Sequence, residues 1–418
     1  MARRGVVAAC ILATSLAAAC AARPAATTAA KGDGRNIRVA LNANATRVKL
    51  GGGGVWRLQT RGESTLLRAT ATEIVTIEAQ DGRVRGVSSA GVVTRWSDGP
   101  VTAVAGGEGY VAFDGRRYRG TIVIAPKNNG AMLVYNVLPM EQYLRGVVPQ
   151  EIGPRTDAEF AAVAAQAVAA RTYAYAKLRL TASRPYDFAA TVDDQVYGGV
   201  NAERPVADRA VRETRGRVLR YKGRIAEAPY SAVCGGSTAA QPEVWTHKGD
   251  EPYLRPVSDR IPGSDRYYCD IAGRFTWTRQ YGASELVTVL ERYLRDHASV
   301  TTGSVGYPQL FAVEERTASN RVAKLAIVTD RGRYVLRGNA IRFVLRTSGG
   351  EILNSTYFSV ESEVGRDGRL SRLTLTGRGN GHGIGMCQWG AIGRARAGQD
   401  YRTILRTYYP GTEIGQVD

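Results

Sequence analysis

Residues 157–180, DAEFAAVAAQAVAARTYAYAKLRL, constrain the fold more than any other stretch. Alanine dominates the segment, and alanine is the strongest helix former because it loses no side-chain entropy in a helix. Asp157 stands where a cap is expected. Phe160, Val163, Ala164, Ala167, Val168 and Arg171 recur at helical spacing and share one face. Side chains this small let another element approach closely, so the segment predicts the central helix of an α/β core.

Upstream the pattern changes. Between Asn36 and about Ala125 the runs IRVAL, RVKL, VWRLQT, EIVTIEAQ, GRVRGVSS, GYVAFD, RRYRG and TIVIAP are short and β-branched, with glycine-rich turns between them. AMLVYNVLPM then predicts a strand ending in a turn, and MEQYLRGVVPQEIG a short helix, a proline break and a loop. After the central helix, strands (GRVLRYKG, IAEAPYSAV, RVAKLAIVT, RYVLRG, TYFSVESE, LSRLTLTG) interleave with helices (284–297, NAIRFVLR, MCQWGAIGRARAG, YRTILRTYY). No repeat of fixed period is present. The expected class is mixed α/β (α+β): a β-rich N-terminal lobe over 36–125, then a core domain over 126–418.

Composition removes several function classes. Hydrophobic residues make up 44% and charged residues 22% of the 418, which excludes a chain disordered throughout. Beyond the first twenty residues no apolar run is long enough to span a bilayer, so a polytopic membrane protein is excluded. Lys+Arg number 56 against 38 Asp+Glu, a formal charge of +18 that favours polyanions: nucleic acid, anionic lipid or an acidic wall polymer. No RRM, helix-turn-helix or zinc-finger pattern accompanies that charge, so no nucleic-acid partner is expected.

The N-terminus points out of the cytoplasm. Residues 1–19 combine Arg3 and Arg4, a short apolar stretch from Val6 to Leu16, and the small residues Ala17 to Ala19, the layout of an export signal. Cys20 follows directly, resembling a lipoprotein box; lipidation at Cys20 and simple secretion both remain open, and lipidation would be the one route to membrane contact. Residues 20–35 read as a flexible tether. Export leaves Cys234, Cys269 and Cys387 in the folded part. Disulfides persist in such compartments, and Cys234 and Cys269, flanking a proline-containing loop, are expected to pair, with Cys387 free and buried. The three histidines, His247, His297 and His382, are far apart, and three cysteines with no near histidine make a poor ligand set, so no metal or other cofactor is expected.

Four segments could carry chemistry. Glu151 sits in VVPQEIG among Val147, Val148, Pro149 and Ile152; apolar surroundings raise a carboxyl's pKa and suit a general acid. The plainer alternative is a capping or salt-bridged glutamate, with Arg145 and Arg155 near. GRGNGHGIGMCQWGA offers His382 and Gln388 on a glycine-rich loop whose backbone can approach a ligand or another strand; His382 could orient a substrate or stabilise charge, or be a hydrogen-bonded histidine in a turn-rich packing loop, and no Lys-Ser/Thr follows the glycines, so nucleotide binding is a weak reading. YSAVCGGSTAAQPEVW holds Ser231, Ser237, Thr238 and Trp245, hydroxyls and an aromatic face that could line a sugar site or belong to a disulfide-anchored surface loop. YDFAATVDDQVYGGV holds Asp187, Asp193 and Asp194, which could supply a second carboxylate, bind a cation, or be simple turn and capping residues.

In order along the chain, VLPMEQYLRGVVPQEIG, AAVAAQAVAARTYAYAKL, DDQVYGG, SAVCGGSTA…EVW…PYLR and GHGIGMCQWGA resemble the SpoIID/LytB family of peptidoglycan-acting proteins, from about Asn36 to the C-terminus. The resemblance implies a lytic transglycosylase that cleaves between N-acetylmuramic acid and N-acetylglucosamine and leaves a 1,6-anhydro end. It assigns the catalytic acid to Glu151 and adds Arg171 and Tyr173, in the AQAVAARTYA segment, to Ser231, Ser237, Thr238, Trp245, His382 and Gln388 as substrate-binding candidates. One carboxyl suffices, because the muramyl 6-hydroxyl replaces water as nucleophile and the usual carboxylate pair is unnecessary. The expected partners are glycan strands and a cell-wall amidase, the latter because the LytB branch implies amidase enhancement without catalysis. Some members hold zinc through Cys and His near the Cys-Gly-Gly segment; this chain offers only Cys234 there, and no metal is carried over. Cys387-Gln388-Trp389 stands where Ser-Gln-Tyr is common.

Overall fold

The computed structural model describes residues 34–107, 109–191, 194–300 and 303–417. The expected signal peptide, Cys20, most of the tether and Asp193 lie outside the described residues. The fold is mixed, with helices and several separate sheets.

Two sheets build the N-terminal part. A seven-stranded sheet runs in the order 188–189, Asn36–Ala45, Met132–Pro139, Thr121–Pro126, Val101–Ala105, Trp56–Thr60, Thr65–Ala69. A five-stranded sheet runs Arg83–Ser88, Val75–Gln80, Val48–Gly52, Val111–Phe113, Arg116–Tyr118. Alternation sends Val48 and Leu50, Val75 and Ile77, and Ile122 and Ile124 inward, the period of two that a strand imposes. The pairing does not stop near residue 125. Met132–Pro139 lies antiparallel to both Asn36–Ala45 and Thr121–Pro126, so one apolar interior continues from Ile37 to Val417. A second apolar cluster, Tyr281, Leu286, Phe311, Leu336 and Leu375 among its members, is enclosed by strands between Thr276 and Arg378 and by the helices Ala283–Tyr293 and Ala340–Val344. The sequence pattern showed four of those strands but missed Thr276–Gly282 and Pro308–Arg316, and did not show that the six close around a core of their own.

Phe160–Thr181 is the predicted central helix. Every residue from Ala162 to Thr172 is buried, not one face alone. The helices Met140–Ile152, Pro205–Glu213, Gln388–Arg396 and Tyr401–Tyr408 and the strand Arg217–Tyr221 surround it, and only alanine-sized side chains leave room for so many neighbours. Asp157 is not the cap: it pairs with Arg209 at 2.8 Å on the surface. The entry is closed instead by Glu159, whose carboxylate accepts the Thr156 N–H at 3.4 Å.

The strand Met132–Pro139 leads directly into the helix Met140–Ile152. The predicted break at Pro149 does not occur. Proline there forfeits one backbone bond, but the last turn is anchored by buried Val147, Val148 and Ile152, and the helix ends at Gly153 with φ 76°. Glu151 is therefore helical, in a turn fixed by its apolar neighbours. Among the described residues no helix is long and apolar enough to cross a membrane.

Candidate active site

Glu151 is half-buried, and no ion pair reaches it among the described residues. The two arginines that could have neutralised it are engaged elsewhere: Arg145 with Asp208 at 2.7 Å and Glu203 at 2.8 Å, Arg155 with Glu159 at 3.7 Å and the Ile152 carbonyl at 2.9 Å. The salt-bridged alternative is thereby removed. What does reach the carboxylate is the Val196 N–H, donating to Oε1 at 3.0 Å, and the Tyr230 hydroxyl. Burial outweighs both bonds and raises the carboxyl from 4.5 to about 7. A carboxyl half-protonated near neutrality can give a proton and take one back.

Tyr230 is itself held in place. Gln195, fully buried, donates through Nε2 to the Tyr230 hydroxyl at 2.9 Å and to the Ala170 carbonyl at 3.3 Å, and accepts from the Tyr143 hydroxyl at 3.1 Å. Accepting from Gln195 turns the single Tyr230 proton toward Glu151. Burial and the Glu151 charge keep the Tyr230 phenol well above its ordinary pKa, so it remains a donor. Tyr173 meets Tyr230 edge-on, ring centroids 6.5 Å apart, and its own phenol is raised by burial, then by the charges of Glu227 and Glu151. The sequence reading missed Tyr143, Gln195 and Tyr230 as site residues. Gln195 lies inside DDQVYGG and Tyr230 opens YSAVCGG, so the segments were visible while the roles, set by contacts across the fold, were not.

The glycine-rich loop serves the same site. Gly379, Gly381, Gly383 and Gly385 all have φ between 69° and 113°. A Cβ on Gly385 would stand 2.0 Å from the Pro229 carbonyl oxygen, so only glycine lets the loop lie against the segment carrying Tyr230. There Met386–Cys387 pairs in parallel with Tyr230–Ser231. His382 spans the same seam. Its Nδ1 accepts the Ile384 N–H at 3.0 Å and its other nitrogen donates to the Tyr230 carbonyl. Burial, then Arg342, lowers it to about 3, so it is neutral and both nitrogens are occupied. Charge stabilisation by an imidazolium, one of the roles open to it from sequence, is thus corrected to fastening Tyr230.

The other candidates divide. Trp245 packs its ring 5.1 Å from His382 with Lys248 over its face at 5.0 Å, a half-buried aromatic beside the loop. Ser231 accepts the Gly383 N–H at 3.2 Å, and Ser237 donates to the Thr238 carbonyl at 3.1 Å. Thr238 is buried between the Arg255 carbonyl and the Val257 N–H, and Gln388 is buried against Gln166 at 3.3 Å. Arg171 is fully buried, paired with Glu141 at 2.7 Å and bonded to the Val211 and Arg217 carbonyls. Arg171, Thr238 and Gln388 therefore hold the fold and present nothing to a ligand, a correction to the sequence reading. Asp187 and Asp194 do likewise: Asp187 is buried on Arg38 at 2.7 Å, and Asp194 accepts the Ala189 N–H at 2.7 Å and pairs with Lys177.

The expected Cys234–Cys269 disulfide is not formed. The sulfurs are neighbours at 3.6 Å, well beyond the roughly 2.05 Å of a covalent bond, and Cys234, Cys269 and Cys387 are all free and buried. Cys387 is not apart from them. Cys234, Cys269, Cys387 and Asp259 bring one donor atom each to within 4.8 Å of one another. The expectation of a poor ligand set took only histidine as the fourth donor; the fold supplies an aspartate.

Similarity to known proteins follows the same segments. Residues 128–221 match the family model described as Stage II sporulation protein, and residues 264–385, which include the whole of the second apolar core, match a domain of unknown function (DUF8618). The chain is 32% identical over 330 residues to an uncharacterized protein of Brachyspira hyodysenteriae, covering 79% of this chain and 77% of that one. It is 32% identical over 333 residues to the amidase enhancer of Bacillus subtilis, covering 73% of this chain but 45% of that longer protein. It is 29% identical over 297 residues to stage II sporulation protein D of Bacillus subtilis, covering 67% and 76%.

Proposed function

Because this chain belongs to the SpoIID/LytB family, we propose that it is an exported protein of the cell envelope that acts on peptidoglycan, cutting glycan strands as a lytic transglycosylase with Glu151 as its acid and base. The observation that carries the reading is the state of Glu151: buried enough to stand at about 7, without an ion pair among the described residues, and fixed by Tyr230 and Val196.

Such a carboxyl can run the whole reaction. Protonated Glu151 gives its proton to the glycosidic oxygen, the bond from that oxygen to muramyl C1 breaks, and N-acetylglucosamine leaves with its 4-hydroxyl restored. Positive charge develops on the muramyl ring as the carboxylate forms beside it. Tyr230 and Val196 stabilise that carboxylate by hydrogen bonding. Glu151 then takes the proton of the 6-hydroxyl while O6 bonds to C1, closing the 1,6-anhydro ring and regenerating the acid. No water is consumed, so no second carboxylate is needed to activate one. Trp245, half-buried beside the loop, is suited to stacking on a pyranose face.

A second reading rests on the similarity to a protein named amidase enhancer: the chain would bind the wall through its +18 charge and stimulate an amidase without cutting glycan. Digestion of purified sacculi with and without a cell-wall amidase separates the two. Muropeptides with anhydro ends formed by the protein alone support cleavage; no anhydro ends, with faster amidase release of stem peptides, supports enhancement.

A further inference from the structure

Cys234, Asp259, Cys269 and Cys387 come from four separate segments and converge in the interior, each at 0% exposure. Cys234 follows the strand Tyr230–Ser231, and Cys387 caps the helix Gln388–Arg396. We propose that these four residues form a closed structural zinc site, and that its role is to lock the Tyr230 strand to the glycine-rich loop.

The spacing fits the ion. Tetrahedral zinc with Zn–S of about 2.3 Å and Zn–O of about 2.0 Å requires S···S edges of about 3.8 Å and S···O edges of about 3.5 Å. Here Cys234 Sγ lies 3.6 Å from Cys269 Sγ and 3.9 Å from Asp259 Oδ2. Thiolate donors select a soft or borderline ion such as zinc over magnesium or calcium. With four protein ligands no position is left for water, which marks a structural site and not a catalytic one.

The surroundings orient and neutralise such a site. Asp259 Oδ1 accepts from the Tyr408 hydroxyl at 2.7 Å and from Arg394 Nη2 at 3.1 Å, leaving Oδ2 toward the sulfurs. Cys387 Sγ accepts N–H bonds from Cys234 at 3.2 Å and Gly390 at 3.3 Å, as a metal-bound thiolate does. Arg321 supplies an independent sign. It is fully buried, donates to the Cys234 carbonyl at 2.7 Å, has no carboxylate partner among the described residues, and keeps Nε and Nη1 unbonded. A buried guanidinium without a counter-charge is costly. Three thiolates and a carboxylate around a divalent ion leave two negative charges, which Arg394 and Arg321 balance. A Cys234–Cys269 disulfide would use two of the four donors and leave Arg321 only the charge of Glu243, which makes no ion pair with it.

The consequence is mechanical. Ser231 pairs with Cys387 across the parallel bridge, and Cys234 lies three residues beyond it. A metal joining Cys234 to Cys387 fixes the two strands beside Tyr230, with Asp259 and Cys269 tying in the intervening loop. The inference does not depend on whether Glu151 cuts glycan.

The test is metal content and thiol state, not activity. The full-length protein, purified from its own envelope without chelator, should carry about one zinc per chain by plasma mass spectrometry. Exchange with Co2+ should give the intense visible bands of tetrahedral cobalt and sulfur-to-cobalt charge transfer. Cys269→Ser should lose the metal. Tyr408→Phe, which keeps the ring, should weaken zinc affinity by about 10–100-fold. A metal-free protein whose intact mass is lower by two hydrogens, with Cys234 and Cys269 in one disulfide-linked peptide, overturns the proposal, as does Co2+ that binds without charge-transfer bands.

Discussion

Burial of Glu151 makes a prediction that needs no substrate. In the folded protein its carboxyl stands at about 7, against 4.5 in an unperturbed glutamate, chiefly through desolvation. The folded state therefore holds the proton over a range where the unfolded chain has released it. The stability this confers is complete below about 4.5 and is lost as pH rises through about 7. At about 1.4 kcal/mol per pKa unit the loss comes to about 3 kcal/mol. Glu151→Gln is nearly isosteric and keeps an acceptor for Val196 and Tyr230, but does not titrate. Every other group titrates in both proteins and cancels in the difference. Urea unfolding of wild type and variant should thus give a stability difference that moves by about 3 kcal/mol in the variant's favour between pH 4 and pH 8. A difference that stays constant across that range would refute the claim that Glu151 is held protonated by its surroundings.

Three further outcomes follow from named contacts. Tyr230→Phe removes a bond that favours the charged carboxylate, so the Glu151 pKa should rise; with such bonds worth about 1.5–3 kcal/mol, the alkaline limb of the pH–rate profile for glycan cleavage should move up by about one pH unit or more, and an unmoved limb contradicts the bond's role. Ala167→Leu places a branched side chain in the fully enclosed helix and should lower stability by about 1–3 kcal/mol, read as a lower urea midpoint; no change would mean the helix is not enclosed. Adhesion to sacculi, if driven by the +18 charge, should weaken as salt rises and the screening length shrinks from about 10 Å at 0.1 M to about 3 Å at 1 M; salt-insensitive pelleting would point to sugar stacking, with Trp245 as the first residue to replace.

What was legible in the sequence was what local pattern controls. The alanine density of 157–180 marked a central helix, and short β-branched runs between glycine-rich turns marked the strands of 36–125. Glu151 drew notice because its neighbours are apolar, and the same neighbours raise its pKa. The proline at 149 misled, since helix termination by proline is a local rule and the packing of Val147, Val148 and Ile152 overrode it. Arg171 and Gln388 were read as ligand contacts because polar residues in a motif attract that reading; burial against Glu141 and Gln166 gives them fold roles instead. The cysteine cluster was out of reach. Cys234 and Cys387 are 153 positions apart, and Asp259 has no ligand spacing to any cysteine, so only the tertiary fold assembles them. The Tyr143–Gln195–Tyr230–Glu151 chain of hydrogen bonds was hidden for the same reason.

The most direct test of the central claim is the yield of 1,6-anhydro muropeptides from purified sacculi, measured by mass spectrometry for wild type and Glu151→Gln at equal concentration near pH 6. General acid–base catalysis is worth about 10²–10⁴-fold, so the variant should lose product formation by at least that lower bound while still pelleting with sacculi and unfolding cooperatively. Anhydro ends formed by the variant at the wild-type rate would contradict Glu151 as the catalytic acid, and none from wild type would contradict the transglycosylase assignment itself.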